Sequence, residues 1–302
     1  MRQIMHRASR RPRRAARRTP SIGSQMGEPV AEFRIHTYTA PEQGLLVNSY
    51  LLESADGVVL VDANLLMSDI RALASQIAAL RKPLRAAVVT HAHPDHFNGL
   101  PFVVDDDVPV YATKAVAETI AAIAEPKRDQ WRPVFGDEWP DRFRIPDHCL
   151  GDGDTVSAAG ILLQMHDLGA GESHADSYVV AGDAVFIGDV AFAGTHSYMS
   201  DGHTGRWLET LDLLGGTLRG LRLYPGHGAP GDVELLADQR RYLMTYREAV
   251  GRLSHGSPEL TEDQKRMLTE AMTAYLPDAP LAWLVALGAD AVASELAGGT
   301  TA

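Results

Sequence analysis

Between residues 66 and 81 apolar side chains fall at Leu66, Ile70, Leu73, Ile77 and Leu80, at spacings of four, three, four and three. That is the helical period, and it predicts an amphipathic helix. Two short β-rich runs precede it, residues 46–52 and 58–62, separated by Asp56-Gly57, a hairpin signal. Residues 87–90 read as a short buried strand that delivers the chain to His91. A further strand is expected at 109–112 and a helix at 114–124. The order strand, helix, strand, histidine loop, strand, helix predicts an α/β fold.

Residues 126–149 break this rhythm with four prolines, two tryptophans and mixed charges, and read as an inserted loop. Strands return at 161–165, 177–180 and 184–187, followed by a short helix at 205–214. A strand at 221–224 then leads into Pro225-Gly226-His227-Gly228. From Asp232 onward the period is helical, and three helices are expected at 232–254, 261–274 and 280–296. The division that follows is a tail (1–25), a catalytic domain (26–230) and a helical extension packed on it (231–302).

Charge changes this picture at one end. The first 18 residues hold eight arginines and no acid, while the 302-residue chain has a formal charge of −11. Removing those eight charges leaves −19 for residues 19–302. The tail reads as disordered and basic, and the acidic body disfavours nucleic acid as a partner. No apolar run follows the arginines as a secretory signal would require, and none reaches the length of about 18 residues that spans a membrane. A single cysteine, Cys149, allows no intrachain disulfide. A cytoplasmic setting is therefore expected, with no membrane partner. Oligomeric state is not legible.

The chemistry is concentrated in His91-Ala92-His93-Pro94-Asp95-His96. Three imidazoles and a carboxylate sit on a loop at the C-terminal end of an apolar strand, where α/β proteins place ligand sites. These donors suit zinc, iron or manganese. Six residues on one loop do not easily wrap one ion, but they can present two donor sets to two ions side by side. Further candidate ligands lie near strand ends: His174 after Gly171-Glu172-Ser173, Asp189 after Phe186-Ile187-Gly188, and His227. Asp95, between the histidine sets, is the candidate to orient a water and take its proton.

With these motifs in this order the chain resembles the metallo-β-lactamase superfamily over roughly residues 33–230. The resemblance implies an αββα sandwich of two mixed β-sheets flanked by helices, here with extra C-terminal helices. It implies that His91, His93 and His174 hold one metal and Asp95, His96 and His227 the other, with Asp189 bridging. It makes Asp62, at the end of an apolar strand, a supporting residue behind the ligands. Two divalent ions, most simply Zn2+ with Mn2+ or Fe2+ as alternatives, would serve a hydrolase acting on an ester, thioester, lactone or amide bond of a small molecule. The third motif departs from the family's Gly-His-Thr: here it reads Gly171-Glu172-Ser173-His174. His166 is the rival to His174, and Asp183 to Asp189. Iron-dependent oxygenase chemistry on the same ligands, including persulfide dioxygenation, and a non-catalytic metal-binding role are the competing readings.

Around the site, Trp131, Arg132, Trp139, Arg142 and Arg144 are candidates to line a lid over an apolar, anionic substrate, or else simply to pack the insertion. His196, Tyr198 and His203 are candidates to reach the pocket. Cys149, His36, His148 and His255 read as packed or surface residues.

Overall fold

The computed structural model describes residues 32–298; the basic tail expected at 1–25 lies outside them. Eleven strands form two sheets. The first holds β1 (Arg34–Thr39), β2 (Asn48–Glu53), β3 (Val58–Val61), β4 (Leu84–Val88), β5 (Val110–Thr113) and β6 (His148–Leu150), in that order. The second runs β11 (Arg222–Pro225), β10 (Ala184–Gly188), β9 (Asp176–Ala181), β8 (Ile161–Gly169) and β7 (Thr155–Ala158). Both sheets are mixed. The β1–β2–β3 meander is antiparallel and β3 to β6 are parallel, while only β10–β11 is parallel in the second sheet.

Side-chain alternation explains why the sheets stack. In a strand successive residues face opposite sides. Tyr50, Leu52, Val59, Val61 and Val88 turn inward to meet Leu163, Met165, Val179, Ala181 and Phe186 of the other sheet. Their neighbours Leu51, Leu60 and Ala87 turn outward, under Leu73 of α1 (Met67–Ala79) and Val116 and Ile120 of α4 (Lys114–Phe135). Tyr178, Val180, Val185 and Ile187 do the same on the far side, under α5 (Thr204–Thr217) and α6 (Glu234–Ser254). Strands buried on both faces read as continuous apolar runs, as β3 and β10 do. The layers are helix, sheet, sheet, helix: the αββα sandwich.

The extra C-terminal helices share the far core. Tyr242, Tyr246 and Val250 of α6, Leu268 and Met272 of α7 (Glu262–Tyr275), Val285 of α8 (Trp283–Leu287) and Val292 of α9 (Ala289–Gly298) belong to the same apolar cluster as β10. The helix expected at 280–296 is two, broken at Gly288, where a Cβ would come within 2.8 Å of Met199 Cβ.

Two other expectations change. The insertion is not a loop at its start. Helix α4 continues to Phe135 across Pro126 and Pro133, because Trp131 and Phe135 on its inner face pack with Trp139, Leu65 and Leu66. Strand β1 has no counterpart in the sequence reading. It is an edge strand of mixed exposure, with too few apolar positions to signal itself. Among the described residues no helix is long and apolar enough to cross a membrane.

Candidate metal centre

The site lies where strand ends from both sheets meet. Asp62 follows β3, His91 follows β4, Asp189 follows β10 and His227 follows β11. The histidine loop contains two single-turn helices, α2 (Pro94–Phe97) and α3 (Leu100–Val103). Pro94 sits at the first position of α2, where its fixed φ suits a helix start. The sheets are tied together here: Ser177 Oγ donates to the Thr90 carbonyl at 2.5 Å, and Asn48 Nδ2 to the carbonyls of Pro225 and Gly228 at 3.0 and 2.8 Å.

Two buried groups of four side chains emerge, His91, His93, Glu172 and Asp189, and Asp95, His96, Asp189 and His227. Each has its ligand atoms within 4.8 Å of one another, and Asp189 belongs to both. In the first, His93 Nδ1 lies 3.0 Å from Glu172 Oε2 and 3.2 Å from His91 Nε2, and His91 Nε2 lies 3.8 Å from Asp189 Oδ2. In the second, His227 Nε2 lies 3.2 Å from both Asp95 Oδ2 and Asp189 Oδ2, and His96 Nε2 lies 3.5 Å from Asp189 Oδ1.

Each imidazole turns one nitrogen inward and has the other held from behind. His96 Nδ1 donates to Asp62 Oδ2 at 2.8 Å. His227 Nδ1 donates to the Leu45 carbonyl at 2.8 Å. His93 Nε2 donates to Asp201 Oδ2 at 3.1 Å. Thr90 Oγ1 donates to Asp62 Oδ2 at 2.8 Å and so accepts from His91 Nδ1 at 3.1 Å. Such backing fixes the tautomer that leaves a lone pair pointing at the centre. The close approach also needs Gly226, since a Cβ there would fall 2.0 Å from Asp189 Oδ1.

These residues fit divalent cations. The inward atoms His96 Nε2, Glu172 Oε1 and Oε2 and Asp189 Oδ1 are buried with no hydrogen-bond partner. Leaving a buried charge uncompensated costs several kcal/mol per ion, and a cation at the centre offsets it. Burial pushes the Glu172 carboxyl up to about 8 against the pull of His93. Burial works on Asp189 the same way, yet His227 and His96 hold it well below the usual carboxylate range. Two imidazoles and two carboxylates in each group suit zinc, iron or manganese, and the cysteine-free set is typical of open rather than structural zinc sites.

Of the residues named from sequence, His91, His93, Asp95, His96, Asp189 and His227 come together, and Asp62 stands behind them. His174 does not. Its side chain is 52% exposed, with Nδ1 2.8 Å from His203 Nε2. The cause is the turn before β9, which Asp176 closes. Its carboxylate accepts from the backbone N–H groups of Glu172 and Ser173 and from Ser173 Oγ, at 2.7, 3.1 and 2.6 Å. That turn aims Glu172 inward and His174 outward. The one sequence signal for this is position: in the Gly-His-Thr pattern the ligand directly follows the glycine, and here that residue is Glu172. The rivals lie elsewhere. His166 stacks on Tyr178 with ring centroids 4.5 Å apart, and Asp183 is exposed in the β9–β10 turn.

Residues 43–232 match the sequence profile described as the metallo-beta-lactamase superfamily. The chain belongs to that superfamily. A curated relative from Caenorhabditis elegans, described as a beta-lactamase-like protein 2 homolog, is 28% identical over 196 residues, 60% of this chain and 55% of the relative. The chain thus spans about half the length of that relative. Among solved structures, a beta-lactamase domain protein from Burkholderia ambifaria aligns with TM-score 0.64 at 17% identity, covering 92% of each chain. A metallo-beta-lactamase from Pontibacter korlensis aligns with TM-score 0.56 at 22% identity, covering 71% of this chain and 99% of that one. At these identities the likeness is one of fold.

The backing of His96 gives this superfamily member a direct test. In Asp62→Asn the amide NH2 would face the Nδ1–H of His96 or the hydroxyl of Thr90, donor against donor. Metal affinity in a chelator competition should fall about 10–100-fold, with little change in melting temperature. Unchanged affinity would remove Asp62 from the role.

Proposed function

We propose that the chain is a metal-dependent hydrolase that acts on an ester, thioester, lactone or amide bond of a small molecule. One observation carries the reading: two buried donor groups share Asp189 and open, through Asp95, His93 and His227, onto a cleft. In this reading His91, His93, Glu172 and Asp189 hold one divalent ion, and Asp95, His96, Asp189 and His227 the other. Zinc is the first candidate, with manganese or iron as alternatives. When bound, such a pair lowers the pKa of a water towards about 7 and polarises a carbonyl oxygen.

The chain's own residues do the rest. Asp95 Oδ2 lies 3.2 Å from His227 Nε2, with its side chain 11% exposed towards the cleft. In this reading it orients the attacking water, takes its proton and returns it to the leaving atom. Asp62, Asp201 and the Leu45 carbonyl keep three imidazoles from turning. The apolar cleft walls exclude bulk water, which strengthens each charge interaction inside. A cytoplasmic setting belongs to the same reading, consistent with one free, exposed cysteine, Cys149.

The test is turnover of an ester, thioester, lactone and amide panel by the full chain, with metal counted in the same sample. Two ions per chain and hydrolysis of at least one class are expected. One iron per chain with oxygen consumption would replace the hydrolase with an oxygenase. Two ions with no turnover on any class would leave a binding protein.

A further inference from the structure

Above the donor groups lies an open cleft that His93, Asp95, Asp189 and His227 line at its base. Its walls are aromatic. Trp131, Phe135 and Trp139 form one side, with successive ring centroids 6.0 and 5.8 Å apart. Trp283 and Leu287 of α8 stand on the rim, 48% and 41% exposed. Phe192 closes the floor, stacked on His227 at 5.1 Å. Indole and phenyl walls favour a flat apolar body.

The arginines that the sequence offered for an anionic substrate are spent elsewhere. Arg144 binds the carbonyls of Asp105 and Val108 and the Asp147 carboxylate. Arg142 lies over the Phe102 ring at 4.7 Å, and Arg132 faces Asp137 at 3.9 Å. The cation that does line the cleft is Lys127. It precedes Trp131 and Phe135 on α4 at steps of four residues, which puts all three on one helix face. Its ammonium sits 6.0 Å from the centroid of Tyr198, itself packed edge-on against His93 at 4.9 Å. Among the described residues no carboxylate pairs with it within salt-bridge distance, although Asp201 feels its charge. A half-buried lysine lining an apolar cleft in an acidic body is suited to meeting an anion that the remaining surface repels.

We propose that the substrate carries a large aromatic body and a carboxylate, the body lying between the Trp131 wall and Trp283 and the carboxylate pairing with Lys127. The proposal rests on the hydrolase reading only for the bond presented to Asp95; the binding it describes is measured separately. Three tryptophans line the cleft, so quenching of intrinsic fluorescence reports occupancy without turnover.

The probes are 2-naphthoate and its uncharged counterpart 2-naphthylmethanol, titrated into the metal-loaded full chain. The carboxylate should bind about tenfold more tightly, the worth of one charge-assisted hydrogen bond. Lys127→Met should erase that preference and leave the alcohol's affinity unchanged, while Lys127→Arg should retain most of it. Trp131→Ala should weaken both probes alike. Equal binding of the two probes by the unaltered chain overturns the proposal. So does a preference that survives Lys127→Met, because the carboxylate would then be held at the metal centre. Lysine-dependent preference without any hydrolysis would sink the hydrolase reading and keep this one.

Discussion

If the chain is the two-ion hydrolase proposed above, Asp189→Ala should strip both ions from it and with them all hydrolysis. Asp189 is the residue common to the two donor groups, with Oδ2 3.2 Å from His227 Nε2 and 3.8 Å from His91 Nε2, and Oδ1 3.5 Å from His96 Nε2. Losing a group behind a ligand weakens metal binding about 10–100-fold, so losing a ligand that serves both ions should cost more than that at each. Metal per chain should fall from two to below one in the presence of modest chelator. A melt followed by circular dichroism separates this from unfolding, since Asp189 is 4% exposed and its removal also leaves a small cavity. A variant that keeps two ions and its turnover would show that the groups are not joined through Asp189.

The elements that the chain announces most clearly are those whose side chains are sorted by one strong force. Strands β3 and β10 are buried on both faces, so their apolar runs, Val58-Val59-Leu60-Val61 and Ala184-Val185-Phe186-Ile187, are unbroken. Helix α1 has a single apolar stripe and a polar back, and its period is plain. Strand β1 carries its pattern weakly, because an edge strand is held by backbone pairing with β2 rather than by buried side chains. The sequence predicts helix α4 only to Ala124, short of Pro126, since proline usually ends a helix. Here Trp131 and Phe135 have a wall to pack against, and that packing outweighs two lost backbone donors. The lid residues divided for a similar reason. Trp131 and Trp139 line the cleft, whereas the arginines are tied down by carbonyls, a carboxylate and a ring that only the folded chain brings near. Of the pocket candidates, Tyr198 packs on His93, but His196 is buried against Tyr242, its Nδ1 2.8 Å from the hydroxyl.

The histidine loop is legible as chemistry because its donors are adjacent in sequence, His91 and His93 just before the single turn of α2 and Asp95 and His96 on it. The remaining donors depend on turns, and a turn decides which of several neighbours points inward. Here the sequence points to His174, with His166 as its rival, whereas the turn brings Glu172 inward. A histidine was the expected residue type, and nothing in the string Gly171-Glu172-Ser173-His174 states that Asp176 will gather the amides of Glu172 and Ser173.

Glu172→Gln and His174→Ala should therefore behave in opposite ways. Glutamine keeps the shape of the side chain and removes its charge. The first donor group then holds two imidazoles and Asp189 alone, while the second, which does not include Glu172, is intact. On the two-ion hydrolase proposal, metal content should fall from about two ions to about one, and turnover should collapse although the fold survives. His174, exposed and paired with His203, should be replaceable by alanine with both ions retained and turnover changed little. Glu172→His sharpens the comparison. A third imidazole in place of a carboxylate makes the first group softer, and imidazole favours zinc where carboxylate favours manganese. The variant should shift its preference at that position towards zinc over manganese, measured by competition between the two ions. Two ions in Glu172→Gln at undiminished affinity, or loss of an ion in His174→Ala, would return the ligand role to the histidine. The carboxylate would then be left as a buried acid kept neutral by its surroundings.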